Sequence, residues 1–559
     1  MTELTADIDR LARGAAAWAG QTPAARSRLA LETALTTAAA ADAWTEAAVT
    51  IKQAADTVAR PVVCAEETAT GPLVTLRLLL VTARTLADIG RGGLPRLPRP
   101  PRLTHRGSDA ARIEVEAIPA AGPHGSLHDS AIFFGQRATI RCVDPGGLEA
   151  FMRSWREEAA RRPRAGGVAL VIGAGNVTGL APGDCISQIF EHGRSAILKL
   201  HPLHAPLAPV LADALAPLVR AGLLAIHVGG PEVVQAAIAA PPIGHVHLTG
   251  GAAAFEAIVW GGGDRHGPPR LVQPITCELG NVTPWFIVPG RYSPRALARQ
   301  ADTVAASIVN NTSFNCIATK LVVTARSWEQ REAFLGLVQQ RLAAMSPRPG
   351  WYPGSASAWA TLSGRAVPAD GTLPWVLRAG IDPVGDSQFI EREWFVPVAA
   401  EVPLAAGSIE AFCTAAHELV ARLPGSLAAS VTLPDSLPAH DRARVELLVE
   451  HLPFGVVAVN TWSAIAYTLG SVPWGGFPGG TLQEPRSGIG FVHDPLLLPL
   501  VHNTILRAPL VSRLLPAWFP WHRNGLMLAR GVLDMYAGLA RGSRGLWPLA
   551  RMLPAVLSG

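Results

Sequence analysis

The sequence predicts an α/β fold with two domains, each built on a mainly parallel β-sheet. From residue 166 onward, short apolar runs alternate with longer runs of helical length, and glycines separate them. Strands that are separated by helices of this length join through right-handed crossovers, which make neighbouring strands parallel. The alternation resumes after residue 284 and continues to about residue 435. A chain of 559 residues, 49% of them hydrophobic, is long enough to bury a core in each domain.

The first of these domains contains four predicted strands joined by three helices. The strands lie at 167–173, 196–200, 223–229 and 245–250, and the helices at 185–193, 206–222 and 232–240. A nucleotide binds at the carboxyl ends of the strands in sheets of this kind. We therefore expect binding residues in the loops that follow the strands.

The N-terminal part of the chain is predicted to be helical. Residues 1–90 include a long alanine-rich run with apolar residues at helical spacing. Four prolines within residues 91–103 restrict the backbone and remove hydrogen-bond donors, which indicates a connector. The runs at 111–118 and 130–143 alternate apolar and polar residues around a turn, so they predict a β-hairpin. We expect this hairpin to be able to pair with another chain.

Composition and charge exclude several classes of protein. The 48 basic and 43 acidic residues give a net charge of +5 without a long basic run in the body, so a nucleic-acid surface is not indicated. The six cysteines lack the spacing of a zinc site, and in so long a chain they do not indicate a disulfide framework. The N-terminus lacks the layout of a signal peptide, and no uncharged apolar run is long enough to predict a membrane-spanning helix. We expect a cytoplasmic protein without a metal site.

Cys316 is the cysteine with the most informative surroundings. It follows the polar stretch NNTSFN and precedes IATKLVVTA, a run without a helix breaker. A helix N-terminus or a turn at this point would favour the thiolate form of the side chain. Free cysteines are also commonly buried as small apolar residues, so a structural role stays open on this evidence alone.

Four further polar residues lie at or near predicted strand ends or beside aromatic residues. Glu278 follows the apolar run ITC, Asn176 stands among glycines after LVIG, and Lys199 is close to the end of the next strand. A turn among glycines can present an amide donor to a ligand. Glu393 precedes the aromatic pair in EWFVPV. Taken singly, these residues have ordinary explanations as a turn asparagine, a solvated lysine and surface carboxylates.

In order and context, these segments resemble the NAD(P)-dependent aldehyde dehydrogenase superfamily over about residues 165–492. The resemblance implies a Rossmann-type cofactor domain and a second α/β catalytic domain. It further implies that Cys316 is the nucleophile, Glu278 the general base, Asn176 the oxyanion-stabilising amide and Lys199 the lysine that binds a cofactor ribose.

The resemblance also assigns residues around the cofactor. Glu393 and Phe395 in EWFVPV correspond to the family's contacts with the nicotinamide ribose, and Thr249, Gly250 and Gly251 in LTGG correspond to its dinucleotide loop. The segment VPWGGFPGG followed by RSGIG, at 472–490, resembles the family's closing segment.

A domain layout follows from the same resemblance. Residues 1–109 and 146–275 are assigned to the cofactor domain, 110–145 to an oligomerisation hairpin, 276–470 to the catalytic domain, 471–494 to the closing segment and 495–559 to a C-terminal tail. A homodimer or a higher homo-oligomer is the expected assembly.

The implied reaction is aldehyde oxidation through a cysteine thiohemiacetal and a thioester, which Glu278 hydrolyses by activating water. Phe255 stands where the family has a second loop glycine, and His201 and Pro202 follow the strand where the family often has an acidic residue near the lysine. Without that carboxylate, NADP is accepted as well as NAD.

Two alternative functions remain. The first is a CoA-acylating enzyme, although that branch generally lacks a base at the position of Glu278. The second is a catalytically silent nucleotide-binding or membrane scaffold, which the altered residue Phe255 favours.

The tail at 495–559 carries seven arginines against a single acidic residue, Asp534. Around residues 525–542, Leu526, Leu533 and Tyr536 fall on one helical face. Such a face suits either an interfacial helix on anionic lipid or a helix packed on the body or on a partner. If it contacts lipid, a long-chain aldehyde becomes the expected substrate.

Overall fold

A computed structural model describes residues 2–105, 111–164, 166–265 and 267–559. Its α-helices are α1 (Thr2–Ala19), α2 (Pro23–Ala39), α3 (Ala41–Ile51), α4 (Arg60–Thr68), α5 (Val74–Gly90), α6 (Pro123–Ile132), α7 (Leu148–Arg161), α8 (Leu180–Ile186), α9 (Ala208–Ala214), α10 (Ala216–Arg220), α11 (Pro231–Ile238), α12 (Ala252–Val259), α13 (Pro294–Val309), α14 (Arg331–Ala343), α15 (Ser355–Ser363), α16 (Ile409–Val420), α17 (Ala439–His451), α18 (Ala464–Leu469), α19 (Gly525–Ala540) and α20 (Leu546–Leu557). Short π-helical turns lie at Ala69–Leu73 and Ser187–Glu191, and 3₁₀ turns at Arg162–Arg164, Pro202–Leu207, Asn310–Ser313 and Ser387–Phe389.

The strands form two large sheets and one small antiparallel pair. They are β1 (Arg102–Thr104), β2 (Arg112–Ile118), β3 (Arg137–Val143), β4 (Val168–Ile172), β5 (Ser195–Leu200), β6 (Leu224–Val228), β7 (Ile243–Thr249), β8 (Ile275–Glu278), β9 (Pro284–Ile287), β10 (Leu321–Ala325), β11 (Arg348–Pro349), β12 (Thr372–Leu373), β13 (Val376–Arg378), β14 (Val398–Leu404), β15 (Ala428–Thr432), β16 (Val456–Val459), β17 (Gly488–Ile489) and β18 (Val501–Arg507). The small pair is β11 with β12.

The first large sheet has the strand order β17-β8-β7-β4-β5-β6. Each pair of adjacent strands is parallel, except that β17 runs antiparallel to β8. Separate apolar cores cover its two faces, so its central strands are buried throughout. The chain passes from β4 outward to β6 and then returns to β7 on the other side of β4. Such a reversal of strand order creates a crevice at the carboxyl ends of the strands, where ligands bind.

The predicted order of strands and helices in this sheet is confirmed, but two helices differ in detail. The helix predicted at 185–193 begins at Leu180 and continues from Ser187 as a π-helical turn. The helix predicted at 206–222 is divided into a 3₁₀ turn and the short helices α9 and α10. The prolines at 206, 209 and 217 explain the division, because each removes a backbone N–H donor.

The second large sheet has the strand order β1-β2-β3-β18-β16-β15-β9-β10-β14-β13. It is parallel from β18 to β13 and antiparallel from β1 to β18. The sheet and the helices on its faces enclose the largest apolar core of the described residues. β9 and β10 lie in its middle, and the loops at their ends carry much of the candidate site.

The predicted hairpin is partly wrong. β2 and β3 do pair antiparallel, but the strand predicted over 130–143 begins only at Arg137, and a helix, α6, replaces the turn. Tertiary contacts favour this helix, because buried Asp129 accepts a hydrogen bond from Arg77 of α5 at 2.9 Å. β3 pairs with β18 of the same chain, which leaves β1 as the outer strand. Residues 106–110, at the predicted boundary of the hairpin, lie outside the described residues.

The C-terminal tail is an integral part of the structure. Its β18 lies inside the second sheet, between β3 and β16. α19 packs against α2, α4 and α5, and its Leu533 and Tyr536 are buried in a core of the first domain. Of the two expectations for the tail, α19 therefore fulfils the one in which the helix packs on the body. Among the described helices, none combines the length and the apolarity needed to cross a membrane.

Candidate active site

Cys316 and Glu278 face each other across the two domains. Glu278 is the last residue of β8, and Cys316 lies in a turn between α13 and β10. The Cys316 Sγ donates to Glu278 Oε1 at 3.2 Å, and Trp474 Nε1 donates to Glu278 Oε2 at 2.8 Å. The carboxylate is thus held between a thiol and an indole. This contact brings together two residues that are 38 positions apart in the sequence.

The backbone before Cys316 is strained. Asn311, Thr312 and Ser313 are three successive non-glycine residues with φ of 51°, 55° and 63°, which is the left-handed region. Each such residue costs about 1–3 kcal/mol, and the cost persists only where surrounding contacts impose the conformation. Strain of this kind concentrates at active sites. It is consistent with a loop whose purpose is to place the next residues accurately.

Buried contacts hold this loop from three sides. The Asn311 amide donates to the carbonyl oxygens of Asn176 at 2.9 Å and Phe314 at 2.8 Å, and its oxygen accepts from Lys52 at 2.5 Å. The Asn311 backbone N–H donates to Glu66, which is itself ion-paired with Arg348 at 2.8 Å. The loop therefore depends on the N-terminal helices as well as on the catalytic domain.

The thiol of Cys316 is protonated in this environment. Burial and the nearby carboxylates of Glu278 and Glu393 raise its pKa well above the usual value. Cys316 lies in a turn, one of the two predicted settings, and no helix begins there, but the raised pKa contradicts the expectation that this setting favours the thiolate. Burial also raises the pKa of Glu278 to about 7, against the opposing hydrogen bonds from Cys316 and Trp474. A carboxylate with this pKa and this contact can accept a proton near neutral pH.

Asn176 lies in the loop after β4, next to the strained segment. Its Nδ2 donates to the carbonyl of Phe314 at 3.2 Å, two residues before Cys316. The backbone N–H of Cys316 makes no hydrogen bond to another described residue. Both groups are the kind of N–H donor that stabilises an oxyanion next to a nucleophile.

Lys199 is the second-last residue of β5 and is 7% exposed. Within the described part of the chain its ammonium has no hydrogen-bond partner, and burial lowers its pKa, opposed by Glu232. Glu232 belongs to α11 and follows the next strand of the sheet. A carboxylate therefore does lie near the lysine, although it comes from a distant part of the sequence. An unpartnered ammonium at the edge of the crevice fits an anionic or hydroxyl-rich ligand.

The LTGG segment connects β7 to α12 at the same edge. Thr249 donates to buried Asp184 at 2.9 Å, and the Gly250 N–H donates to the carbonyl of Glu278 at 3.0 Å. Gly251 is the N-cap of α12, and a Cβ at this position would meet no atom within 4 Å. Phe255 is fully buried in the core beneath the sheet. The Phe255 side chain, at the position where the family has a second loop glycine, thus points into the protein and leaves the N-terminus of α12 open.

Glu393 and Phe395 lie beside the catalytic pair. The Glu393 carboxylate accepts from the Asn281 N–H at 3.2 Å, and a Cβ at Gly280 would approach it to 2.2 Å, so a larger residue at 280 would displace the carboxylate. Burial raises the pKa of Glu393 to about 7, opposed by Lys320. The Phe395 ring lies 5.8 Å from the Lys320 ammonium. The structure therefore brings both predicted residues to the site.

Lys320 was not predicted from the sequence. It is fully buried, and its Nζ donates to the Ser313 carbonyl at 2.8 Å. Burial lowers the pKa of Lys320 to about 8, while Glu393 and Cys316 oppose the shift. The sequence signal that could have identified Lys320 is a lysine between apolar segments, four residues after Cys316. Asn311 and Trp474 were likewise missed, because their roles depend on contacts with residues distant in sequence.

A cavity of about 950 Å³ opens at the catalytic pair. Cys316 and Glu278 line one part of it, together with Trp462, Tyr467 and Trp474. Most of the remaining lining is apolar, and much of it comes from the C-terminal tail. The reactive sulfur therefore faces a large enclosed space that suits an apolar substrate.

Comparison with known proteins identifies the fold. No protein-family model matches the chain, and no curated protein matches it in sequence. Among solved structures, indole-3-acetaldehyde dehydrogenase in complex with NAD⁺ aligns over 90% of this chain and 88% of its own, with 15% identity and a TM-score of 0.56.

Two further structures agree with this result. NADP-dependent glyceraldehyde-3-phosphate dehydrogenase from Bacillus halodurans C-125 aligns over 90% of this chain and 91% of its own, with 14% identity and a TM-score of 0.58. An NAD-dependent aldehyde dehydrogenase from Sinorhizobium meliloti aligns over 90% and 86%, with 14% identity and a TM-score of 0.56. The predicted fold is confirmed: the chain has the aldehyde dehydrogenase fold.

Proposed function

We propose that the chain is an NAD(P)-dependent aldehyde dehydrogenase that oxidises an aldehyde to a carboxylic acid. The observation that carries this proposal is the 3.2 Å contact between the Cys316 thiol and the Glu278 carboxylate at the cavity wall. A nucleophile beside its base, with N–H donors of Asn176 and of the Cys316 backbone nearby, is the arrangement that acyl chemistry requires.

The residues at the sheet edge fit NAD or NADP. Lys199 would hold the ribose or its phosphate, the LTGG segment with Thr249 would lie along the diphosphate, and Glu393 and Phe395 would contact the nicotinamide end. The unpartnered Lys199 ammonium and the open N-terminus of α12 support this fit. The bound cofactor supplies the hydride acceptor.

In the first half-reaction, Glu278 takes the Cys316 proton as the sulfur bonds to the aldehyde carbon. Asn176 and the Cys316 N–H stabilise the oxyanion, and loss of hydride leaves a thioester on Cys316. Glu278 then releases the Cys316 proton to solvent and is ionised again. In the second half-reaction, Glu278 accepts a proton from water while the water oxygen attacks the thioester carbonyl. Cleavage of the C–S bond releases the acid, and Glu278 returns the proton to the Cys316 sulfur.

The test is turnover of decanal with NAD or NADP by the full chain, with and without CoA, beside Cys316→Ala and Glu278→Gln. We expect reduced cofactor to form without CoA, and Cys316→Ala to abolish it. Glu278→Gln should acylate slowly and then retain the acyl group, which intact-mass measurement detects as an adduct on Cys316.

Other outcomes assign the alternatives. A strict requirement for CoA would make the protein a CoA-acylating enzyme, since a thiol and not water would then receive the acyl group. Absence of both turnover and adduct with aldehydes of several lengths would leave the nucleotide-binding scaffold as the better interpretation.

We also propose that the chain contacts a membrane surface through α20. Its outward face exposes Leu546, Trp547, Leu553 and Leu557, which are 45–72% accessible. Exposed arginines at 541, 544 and 551 surround this face, and α20 itself contains no acidic residue. An apolar face with basic residues and an interfacial tryptophan complements an anionic bilayer. Assembly into a homodimer stays a prediction.

A further inference from the structure

The C-terminal tail builds one wall of the cavity that opens at Cys316. The segment at 514–523 and the helices α19 and α20 all contribute lining residues, including Trp518, Leu526, Ala529, Val532 and Leu553. Further lining comes from α4, from α6 with Phe133 and Phe134 just after it, and from α18. The space is thus shared between the catalytic domain and a segment that the catalytic chemistry does not use.

A line of aromatic side chains connects the reactive sulfur to this wall. Trp462 Nε1 donates to the carbonyl of Ile317, the residue after Cys316, at 2.7 Å. The Trp462 ring lies 5.3 Å from that of Trp518, which lies 4.7 Å from Phe519. All three side chains line the cavity. The apolar surface is therefore continuous from the catalytic turn to the tail.

The two tail helices are fixed to each other and to the body. Met552 of α20 packs where a Cβ at Gly531 of α19 would stand, and Asn524 donates to the Ala555 carbonyl at 3.1 Å. The carbonyl of Arg544, just before α20, contacts buried His128 of α6 at 2.9 Å. These contacts hold the wall in place over the cavity.

We propose, resting on the proposed function, that the tail wall binds the alkyl chain of a long, unbranched aliphatic aldehyde. A polar substrate would lose hydration against a lining that is mostly apolar, whereas a methylene chain gains free energy on burial. Each buried methylene contributes a factor of about four in affinity. The carbonyl carbon lies at Cys316, and the chain extends toward Trp518, α19 and α20.

The entrance agrees with this substrate class. Leu127, Phe134 and Leu553 line the cavity and are 49–58% exposed, so apolar side chains form part of its rim. Leu553 also belongs to the outward face of α20. The rim is thus continuous with the surface that is proposed to contact lipid.

The experiment measures kcat/KM for propanal, hexanal, decanal and tetradecanal with the full chain. We expect kcat/KM to rise with chain length, by about fourfold per methylene until the cavity is filled. Ala529→Phe, which narrows the cavity from α19, should lower the ratio of kcat/KM for decanal to that for propanal at least tenfold. Met527→Phe is the matched control, because Met527 is on the same helix, is 50% exposed and does not line the cavity.

The outcomes separate the two proposals. Cys316-dependent oxidation with no preference for long chains, or an equal effect of both phenylalanine variants, would overturn the assignment of the tail wall and leave the proposed function intact. Absence of oxidation and of a Cys316 adduct at every chain length would overturn the proposed function, and this inference with it. Thermal unfolding and cofactor binding are measured for both variants. They verify that a lower ratio of kcat/KM for decanal to that for propanal does not reflect unfolding.

Discussion

At the scale of single residues, the candidate site pairs a buried thiol with a carboxylate whose charge is suppressed by burial. The Cys316 thiol has a raised pKa, and burial raises the pKa of Glu278 to about 7. The two groups are therefore complementary, because the carboxylate ionises near neutral pH and lies 3.2 Å from the sulfur that carries the proton. In the proposed mechanism, catalysis depends on the charge of Glu278.

The pH dependence of kcat/KM should reveal that charge. Because ionised Glu278 is the active form, kcat/KM should fall about tenfold per pH unit below pH 7 and level off above about pH 8. The Trp474 hydrogen bond favours the ionised form, so Trp474→Phe should move the acidic limb to higher pH. The measurement is a pH series of initial rates with one aldehyde.

Trp285→Phe is the control for this prediction. Its indole N–H is also buried, but it donates to Thr432 in the sheet at 2.9 Å and not to the catalytic carboxylate. An acidic limb that shifts equally in both variants, or in neither, would contradict the assignment of the limb to Glu278.

At the scale of elements, the loop that precedes Cys316 is held in a strained conformation by distant helices. The Asn311 side chain contacts a lysine of the segment after α3 and carbonyl groups on both sides of the site. These hydrogen bonds fix the turn at Cys316, where the sequence predicted either a helix N-terminus or a turn. The loop is thus positioned by tertiary contacts and not by local secondary structure.

Asn311 should accordingly act as a positioning residue. Asn311→Gly permits the left-handed φ of 51° but removes three side-chain hydrogen bonds, and Asn311→Asp retains only the oxygen that accepts from Lys52. We expect both variants to lower kcat at least tenfold with a smaller change in KM. The measurement is steady-state kinetics together with thermal unfolding. Wild-type kcat in the glycine variant would show that only the backbone conformation at this position matters.

At the scale of the whole molecule, the C-terminal tail joins the two domains and forms a surface of its own. β18 extends the second sheet, α19 packs on the first domain, and α20 leaves an apolar face outward. The arrangement combines an apolar cavity on one side of the tail with an exposed basic and apolar surface on the other. Both features agree with the proposed lipid-soluble substrate.

Binding to vesicles tests the outward surface. We expect the protein to sediment with vesicles that contain phosphatidylglycerol, more weakly with neutral phosphatidylcholine vesicles, and less at high salt, because arginines attract anionic headgroups. The double variant Trp547→Ser, Leu557→Ser removes side chains that are 72% and 69% exposed and should weaken binding at least tenfold.

Val272→Ser is the control for the vesicle experiment, since Val272 is 86% exposed and lies in the cofactor domain. Equal binding by wild type and the double variant would exclude α20 as the contact. A variant that instead converts a dimer to a monomer would assign the face to a second copy of the chain.

The sequence by itself determined the α/β class and the alternation of strands and helices along the first domain. Local patterns suffice for these, because apolar periodicity acts over a few residues. Local patterns also drew attention to Cys316, Glu278, Asn176 and Lys199, but the resemblance to aldehyde dehydrogenases implied their roles. The structure places Glu278 and Lys199 at strand ends, and Cys316 and Asn176 in loops.

Only the tertiary structure decided which of these groups touch and in what state. The pKa shifts of Glu278 and Lys320 come from burial by segments far apart in the chain, and the carboxylate near Lys199 is Glu232 from the following strand–helix unit. The helix α6 and the strand β18 were missed for the same reason, since each is stabilised by partners distant in sequence. Desolvation and long-range pairing depend on the complete fold, so no local pattern of residues specifies them.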